Sequence, residues 1–211
     1  MTLYPQAPWT LQGYAVATLH LIEIDRVRSL IPQELDIISV LPGKTVGGVY
    51  LSDYGFGSVL EYSELIVVAA AVTHSGKIGG WVSHIYVDNP NSVAGGREIW
   101  GLPKEFADFS WGENSVTVQQ SNSTLCTLNY NSLFSLGLKP RLGASSFSTK
   151  NADLLIFTFD VEAQFGLVNA QLKVPSNSPF ADLIVGQPWL AISATQMRLT
   201  VNAPAVLSKR P

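Results

Sequence analysis

The sequence predicts a β-dominated fold built mainly of antiparallel strands, with a few short helices. Two observations carry this expectation. Most of the periodic signal is the two-residue repeat of a strand, in short segments rich in Val, Ile, Thr and aromatic residues. Gly, Pro, Asn, Asp and Ser punctuate those segments at the spacing hairpins require, as at Gly55-Phe56-Gly57, Ser75-Gly76, Gly112-Glu113-Asn114 and Ser121-Asn122-Ser123. Closing such a sheet into an antiparallel β-barrel would remove its reactive edges and leave room for a small interior cavity. At 211 residues the chain suits one domain, taken as 1–211.

In chain order, strands are expected near Tyr14–Ile24, Leu35–Val40, Gly48–Ser52, Ser63–Thr73, Ile78–Val87 and Lys104–Trp111. They continue near Val116–Gln120, Thr124–Tyr130, Asp153–Glu162, Leu167–Val174 and Trp189–Val201. Two short helices fit between them. Asp25 is placed to cap Arg26–Ile31 ahead of Pro32, and Asn91 to cap a turn or two reaching Trp100 ahead of Pro103, although the Gly95-Gly96 pair weakens the second. Leu136–Asn151 mixes Gly, Ser, Lys and Arg without a period and reads as a long loop able to cover a site.

Composition narrows the function. A net charge of −3 with no Lys/Arg run argues against a nucleic-acid partner, whose phosphates need clustered cations. Cys126 is the only cysteine and His20, His74 and His84 the only histidines, so neither a disulfide framework nor a Cys/His metal cluster is expected. A reducing, cytoplasmic setting fits. Met1–Trp9 lacks a cationic stretch followed by an apolar core, so no secretory signal is expected there. The longest wholly apolar run, Leu65–Val72, is far short of the roughly 20 residues of a membrane-spanning helix. With 46% hydrophobic and 14% charged residues, much of the surface is expected to be covered either by neutral polar groups or by further copies of the chain.

The chemistry concentrates between His84 and Phe106. Gly96-Arg97-Glu98-Ile99-Trp100-Gly101-Leu102-Pro103-Lys104, preceded by Tyr86-x-Asp88, resembles the Gly-Arg-Glu-x-x-x-x-Pro-Lys signature of the acetoacetate decarboxylase family. Leu30-Ile31-Pro32-Gln33-Glu34-Leu35 and Tyr62-Ser63-Glu64 are looser matches, so the resemblance spans residues 12 to 130. It implies a β-barrel with an interior cavity, a homo-oligomer, and Lys104 as the amine that forms a Schiff base with a small keto acid. Such an amine must be neutral to attack a ketone. A free lysine near pKa 10.4 is neutral in only about one molecule in 2,500 at pH 7, so burial or a nearby cation has to favour the neutral form. Acetoacetate decarboxylase is itself a standing example of this tuning.

If Pro103–Phe109 is a strand, alternation turns Lys104 and Phe106 to the cavity and Glu105 away from it. Glu64, which interrupts an apolar strand, is the candidate general acid/base and matches the family's glutamate at that segment. Trp100 is expected near the amine. His84 and Tyr86 share a strand face and are candidates to line the cavity, His84 having a plain core role as its alternative. Arg97 is a candidate substrate contact, with an ion pair or helix-end hydrogen bond as its alternative. Trp9, Trp81, Trp111 and Trp189 are expected to serve in packing.

Three departures from the family matter. Glu105 stands where a second lysine often follows the Schiff-base lysine, and no arginine occurs near Gly13 and Tyr14, where the family's carboxylate grip falls. The family's second active-site glutamate would fall near Gly47. Three functions therefore stay open: a β-keto-acid decarboxylase, a Schiff-base aldolase or dehydratase that keeps the carboxylate, and a non-catalytic barrel that binds a small ligand. No nucleotide motif or metal cluster is visible, and no cofactor is expected.

Overall fold

A computed structural model describes residues 4–135 and 137–208. Among them are strands β1 (Trp9–Glu23), β2 (Asp36–Ile37), β3 (Lys44–Tyr54), β4 (Tyr62–His74), β5 (Lys77–Val87), β6 (Lys104–Phe106) and β7 (Asp108–Gly112). There follow β8 (Ser115–Gln120), β9 (Ser123–Ser135), β10 (Arg141–Lys150), β11 (Asp153–Lys173), β12 (Leu190–Val201) and β13 (Ala205–Ser208). Helix α1 covers Ile24–Val27, a single 3-10 turn covers Arg28–Leu30, and α2 covers Pro90–Trp100. The fold is β-dominated, as expected, and no helix of the described residues is long and apolar enough to cross a membrane.

The strand pairings return on themselves. The order β10-β5-β4-β3-β1-β12-β11 is joined end to end by β10–β11 pairing, so seven strands form a closed ring. All ring pairs are antiparallel except β10–β5. Beyond the ring, the C-terminal part of β11 continues through β9 and β8 to β7. Alternation along the strands divides the core in two. One side holds Trp9, Leu11, Tyr54, Tyr62, Ile85, Val87, Trp100 and Met197; the other holds Val16, Leu51, Leu65, Val67, Tyr86, Phe147 and the inner residues of β8 and β9.

Several expected boundaries are corrected. Leu136–Asn151 does not form a lid. Leu136 lies outside the described residues, and most of the remainder is β10, a ring strand hydrogen-bonded to both β5 and β11. Its serines hid the period because they sit at close approaches: Ser146 Oγ donates to Gly80 O at 3.0 Å, and Ser148 Oγ donates to Trp100 O. Asn89, not Asn91, caps α2, its side chain accepting from the N–H groups of Asn91 and Ser92 with Pro90 in the first turn. Asp25 does not cap a helix, since α1 starts at Ile24 with Glu23 before it. Leu35–Val40 contributes only the two-residue β2 before the chain turns at Pro42-Gly43. Lys104–Trp111 is two strands, because β6 pairs in parallel with β5 whereas β7 turns to pair antiparallel with β8. Conversely, Asp153–Glu162 and Leu167–Val174 are parts of one long strand that carries a bulge at Glu162–Gln164.

Candidate active site

Helix α2 and strand β6 bring the signature to bear on one side chain. Gly101 ends α2 in the left-handed conformation (φ 63°), its N–H reaching Arg97 O while that of Leu102 reaches Gly96 O. Pro103 follows, and Lys104 opens β6 beside Ile85. The lysine then runs back along the helix. A Cβ on Gly96 would lie 2.4 Å from Lys104 Cδ, and one on Gly95 would lie 2.6 Å from the Trp9 ring, so the glycine pair lets the helix lie directly on both side chains. The asparagine cap and this packing offset the roughly 1 kcal/mol that each glycine costs a helix interior.

Lys104 Nζ is enclosed by a specific set of partners. It lies 2.7 Å from Glu64 Oε1 and donates to Ser92 Oγ at 3.0 Å, the two charged side chains being 4% and 5% exposed. Aromatic faces complete the enclosure, with the Tyr62 centroid at 4.9 Å and the Trp9 centroid at 5.7 Å, within cation–π range. On the far side of the carboxylate, Tyr54 OH donates to Glu64 Oε2 at 3.2 Å, and Tyr50 OH lies 3.0 Å from Tyr54 OH. Tyr54 has one proton and gives it to Glu64, so it accepts from Tyr50. Burial, reinforced by neighbouring phenols and the Glu64 charge, raises Tyr54 well above the usual phenol value. Burial and then Glu64 do the same for Tyr62. These hydroxyls remain neutral donors.

A model of the acetoacetate decarboxylase (ADC) family matches residues 2–150. The chain belongs to the acetoacetate decarboxylase family. An acetoacetate decarboxylase of Burkholderia ambifaria is 30% identical over 141 residues, covering 66% of this chain and 48% of that protein. The protein NEOXANTHIN-DEFICIENT 1 of Solanum lycopersicum is 31% identical over 107 residues, covering 51% of this chain and 36% of that protein. The chain thus spans less than half the length of either relative. Among solved structures, the acetoacetate decarboxylase of Legionella pneumophila superposes with a TM-score of 0.77 at 16% identity, covering 99% of this chain and 90% of that one. The enduracididine biosynthesis enzyme MppR gives 0.71 at 14% identity, covering 97% and 89%. At such identities the likeness is one of fold.

Of the residues expected at the site, Lys104 and Glu64 meet there and the others do not. Trp100 lies one layer behind the amine, edge-on to Trp9 at 4.9 Å, with its indole N–H donated to Asn202 O. Arg97 points out of the site and donates from Nε to the Lys104 carbonyl at 2.6 Å, which is the helix-end alternative. Tyr86 and His84 belong to the opposite face of β5, where Tyr86 packs against Phe180 at 6.5 Å and His84 at 5.8 Å. His84 also lines a separate cleft of about 240 Å³ with Leu30, Trp81 and Pro103. Phe106 is 49% exposed, because β6 ends with it. Glu105 does face away, accepting from Gln120 Nε2 at 2.8 Å.

Sequence reasoning missed Trp9, Tyr50, Tyr54, Tyr62 and Ser92. Ser92 and Gly96 are four apart on α2 and so share a face, a signal available before the structure. The hairpin register pairs Tyr54 with Tyr62 and Ser52 with Glu64, which would have placed Tyr54 diagonal to the glutamate. Ending the predicted strand at Ser52 lost that neighbour.

Proposed function

We propose that Lys104 forms a Schiff base with a small keto acid and that the chain is a lyase, decarboxylating a β-keto acid of acetoacetate type. The observation that carries this reading is the sealed contact between Lys104 and Glu64. A proton moved across 2.7 Å converts ammonium and carboxylate into neutral amine and carboxylic acid, and the neutral amine is the nucleophile. It adds to the keto carbon, Glu64 returns the proton to the departing hydroxyl, and water leaves an iminium. The bond to the carboxylate then breaks, its electron pair moving into the iminium to give an enamine and carbon dioxide. Glu64, recharged from solvent, protonates the enamine carbon, and water releases the ketone and regenerates Lys104. The sum is one keto acid anion and one proton converted to ketone and carbon dioxide.

Tyr54 supports the cycle by holding Glu64 from its second oxygen, and Ser92 by orienting the amine. A second reading keeps the iminium but not the loss of carbon dioxide, as in a Schiff-base aldolase or dehydratase. It is favoured by the absence of an arginine at Gly13 and Tyr14, where the family's carboxylate grip falls. Gly13 also has no space for any side chain, since a Cβ there would lie 1.9 Å from Asp53 O. MppR has been solved with the condensation product of pyruvate and imidazole 4-carboxaldehyde, so this architecture accommodates such a use. Homo-oligomerisation belongs to the same proposal, supported by the exposed side chains Phe56, Leu133, Phe134 and Leu138; sedimentation showing only monomer would remove it.

The deciding assay follows labelled carboxyl carbon from acetoacetate. Lys104-dependent release of carbon dioxide with acetone supports the decarboxylase. Product that retains the carboxyl, formed with a pyruvate-type donor, transfers the assignment to the second reading.

A further inference from the structure

The ring of strands opens at the end away from α2 into two joined clefts. One, of about 610 Å³, takes its walls from β1, β3, β4, β5 and β10; the other, of about 220 Å³, from β1, β3, β10, β11 and β12. They share Ala17, Tyr50, Gly143 and Ala144, and between them touch every ring strand, so they form the mouth of the ring's lumen. The lining contains no Lys, Arg, His, Asp or Glu. It is held open by small residues: Ala17, Gly80 and Ala144 sit where larger inward side chains would fill the bore. At the rim, Ile78 is 65% and Leu142 54% exposed, so the mouth itself is apolar. The floor is Tyr50, whose hydroxyl is two hydrogen bonds from the Glu64 carboxylate that holds Lys104.

We infer that the substrate is a 3-oxo acid carrying an apolar chain of several carbons, with its keto group at Lys104 and its chain in this bore. The inference rests on the Schiff-base reading above and names the substrate class within it. A bore of about 610 Å³ is the size that holds drug-sized ligands, and a four-carbon acid leaves most of it empty. Water in an uncharged, apolar passage is displaced favourably by alkyl groups, whereas a second charged group on the distal end of the substrate would find no counter-ion there. Chain length should therefore set specificity. Each buried methylene multiplies kcat/KM by about three- to fourfold, so four of them give a gain on the order of 100-fold.

The test compares acetoacetate with 3-oxooctanoate in two measurements on the full chain, borohydride trapping read by intact mass and carbon dioxide release. A kcat/KM ratio favouring the longer acid by tenfold or more is expected, and Ala144→Trp, at an exposed position on the bore wall, should lower that ratio at least tenfold. Trapping of both acids with no chain-length preference overturns the inference and leaves the Schiff-base reading standing. Trapping of neither overturns both. A ratio that survives in Ala144→Trp, confirmed folded by its melting curve, places the chain outside the bore and also overturns the inference.

Discussion

Gly96 and Lys104 touch: the space that a Cβ on the glycine would occupy is already filled by the lysine's Cγ, Cδ and Cε. The glycine that opens the Gly-Arg-Glu signature thus has a steric meaning, since the helix can approach the amine's stem only without a side chain there. Gly96→Ala should improve intrinsic helix propensity by about 1 kcal/mol yet destabilise the fold by about 1–3 kcal/mol through overpacking. It should also slow Lys104 trapping by borohydride at least tenfold. Thermal melts and adduct mass measured together check this; a variant more stable than the parent with undiminished trapping would contradict the contact.

Glu64→Gln keeps the size of the side chain and removes its charge. Leaving the Lys104 ammonium buried without its anion is expected to cost about 3–5 kcal/mol in urea unfolding, because breaking a buried pair costs more than the pair contributes. The double variant Lys104→Met/Glu64→Leu should recover most of that stability while being wholly inactive. Loss of activity with recovered folding separates the chemical role from the structural one.

Tyr54→Phe deletes one hydrogen bond to Glu64 Oε2 and leaves Tyr50 with only the weak acceptor Met197 Sδ, 3.6 Å away. The expected stability loss is about 1 kcal/mol. In steady-state kinetics kcat should fall about tenfold or more with little change in KM, as expected of a residue that positions the acid/base group and does not hold substrate. A change confined to KM would instead make Tyr54 a substrate contact.

His20 predicts a pH dependence. It is 2% exposed, its Nδ1 has no partner among the described residues, and burial lowers its pKa below the ordinary 6.5. The unfolded chain therefore takes up a proton at a higher pH than the folded chain does. The stability this neutral ring contributes is complete above pH 6.5 and is lost as pH falls below it, by up to about 1.4 kcal/mol per pH unit until the folded value is reached. Urea unfolding at pH 8, 6 and 5 should show a smaller decline in His20→Asn than in the parent; equal slopes would mean that the ring is charged or exposed.

Much of this was legible in the sequence, and the losses have physical causes. Six of the seven ring strands announced themselves by apolar alternation, and Lys104 and Glu64 by the signature and by a charge set in an apolar strand. β10 was invisible because its inward positions include Ala144, Ser146 and Ser148, small residues at which the two-residue period leaves no trace in hydropathy. Tyr86 and His84 were misplaced for a different reason. Their shared strand face was read correctly, but which face of β5 receives Lys104 depends on the parallel pairing with β6, and nothing local encodes that pairing. Trp9 was assigned to packing, and it does pack, but against the helix that carries the lysine.

Lys104 is proposed as the Schiff-base amine. Its most direct test is borohydride reduction in the presence of a keto acid, with the adduct located by peptide mass mapping in the parent, in Lys104→Ala and in Lys104→Arg. One adduct per chain is expected, on the peptide containing Lys104 and absent from both variants. An adduct on another lysine, or one that persists in Lys104→Ala, would contradict it.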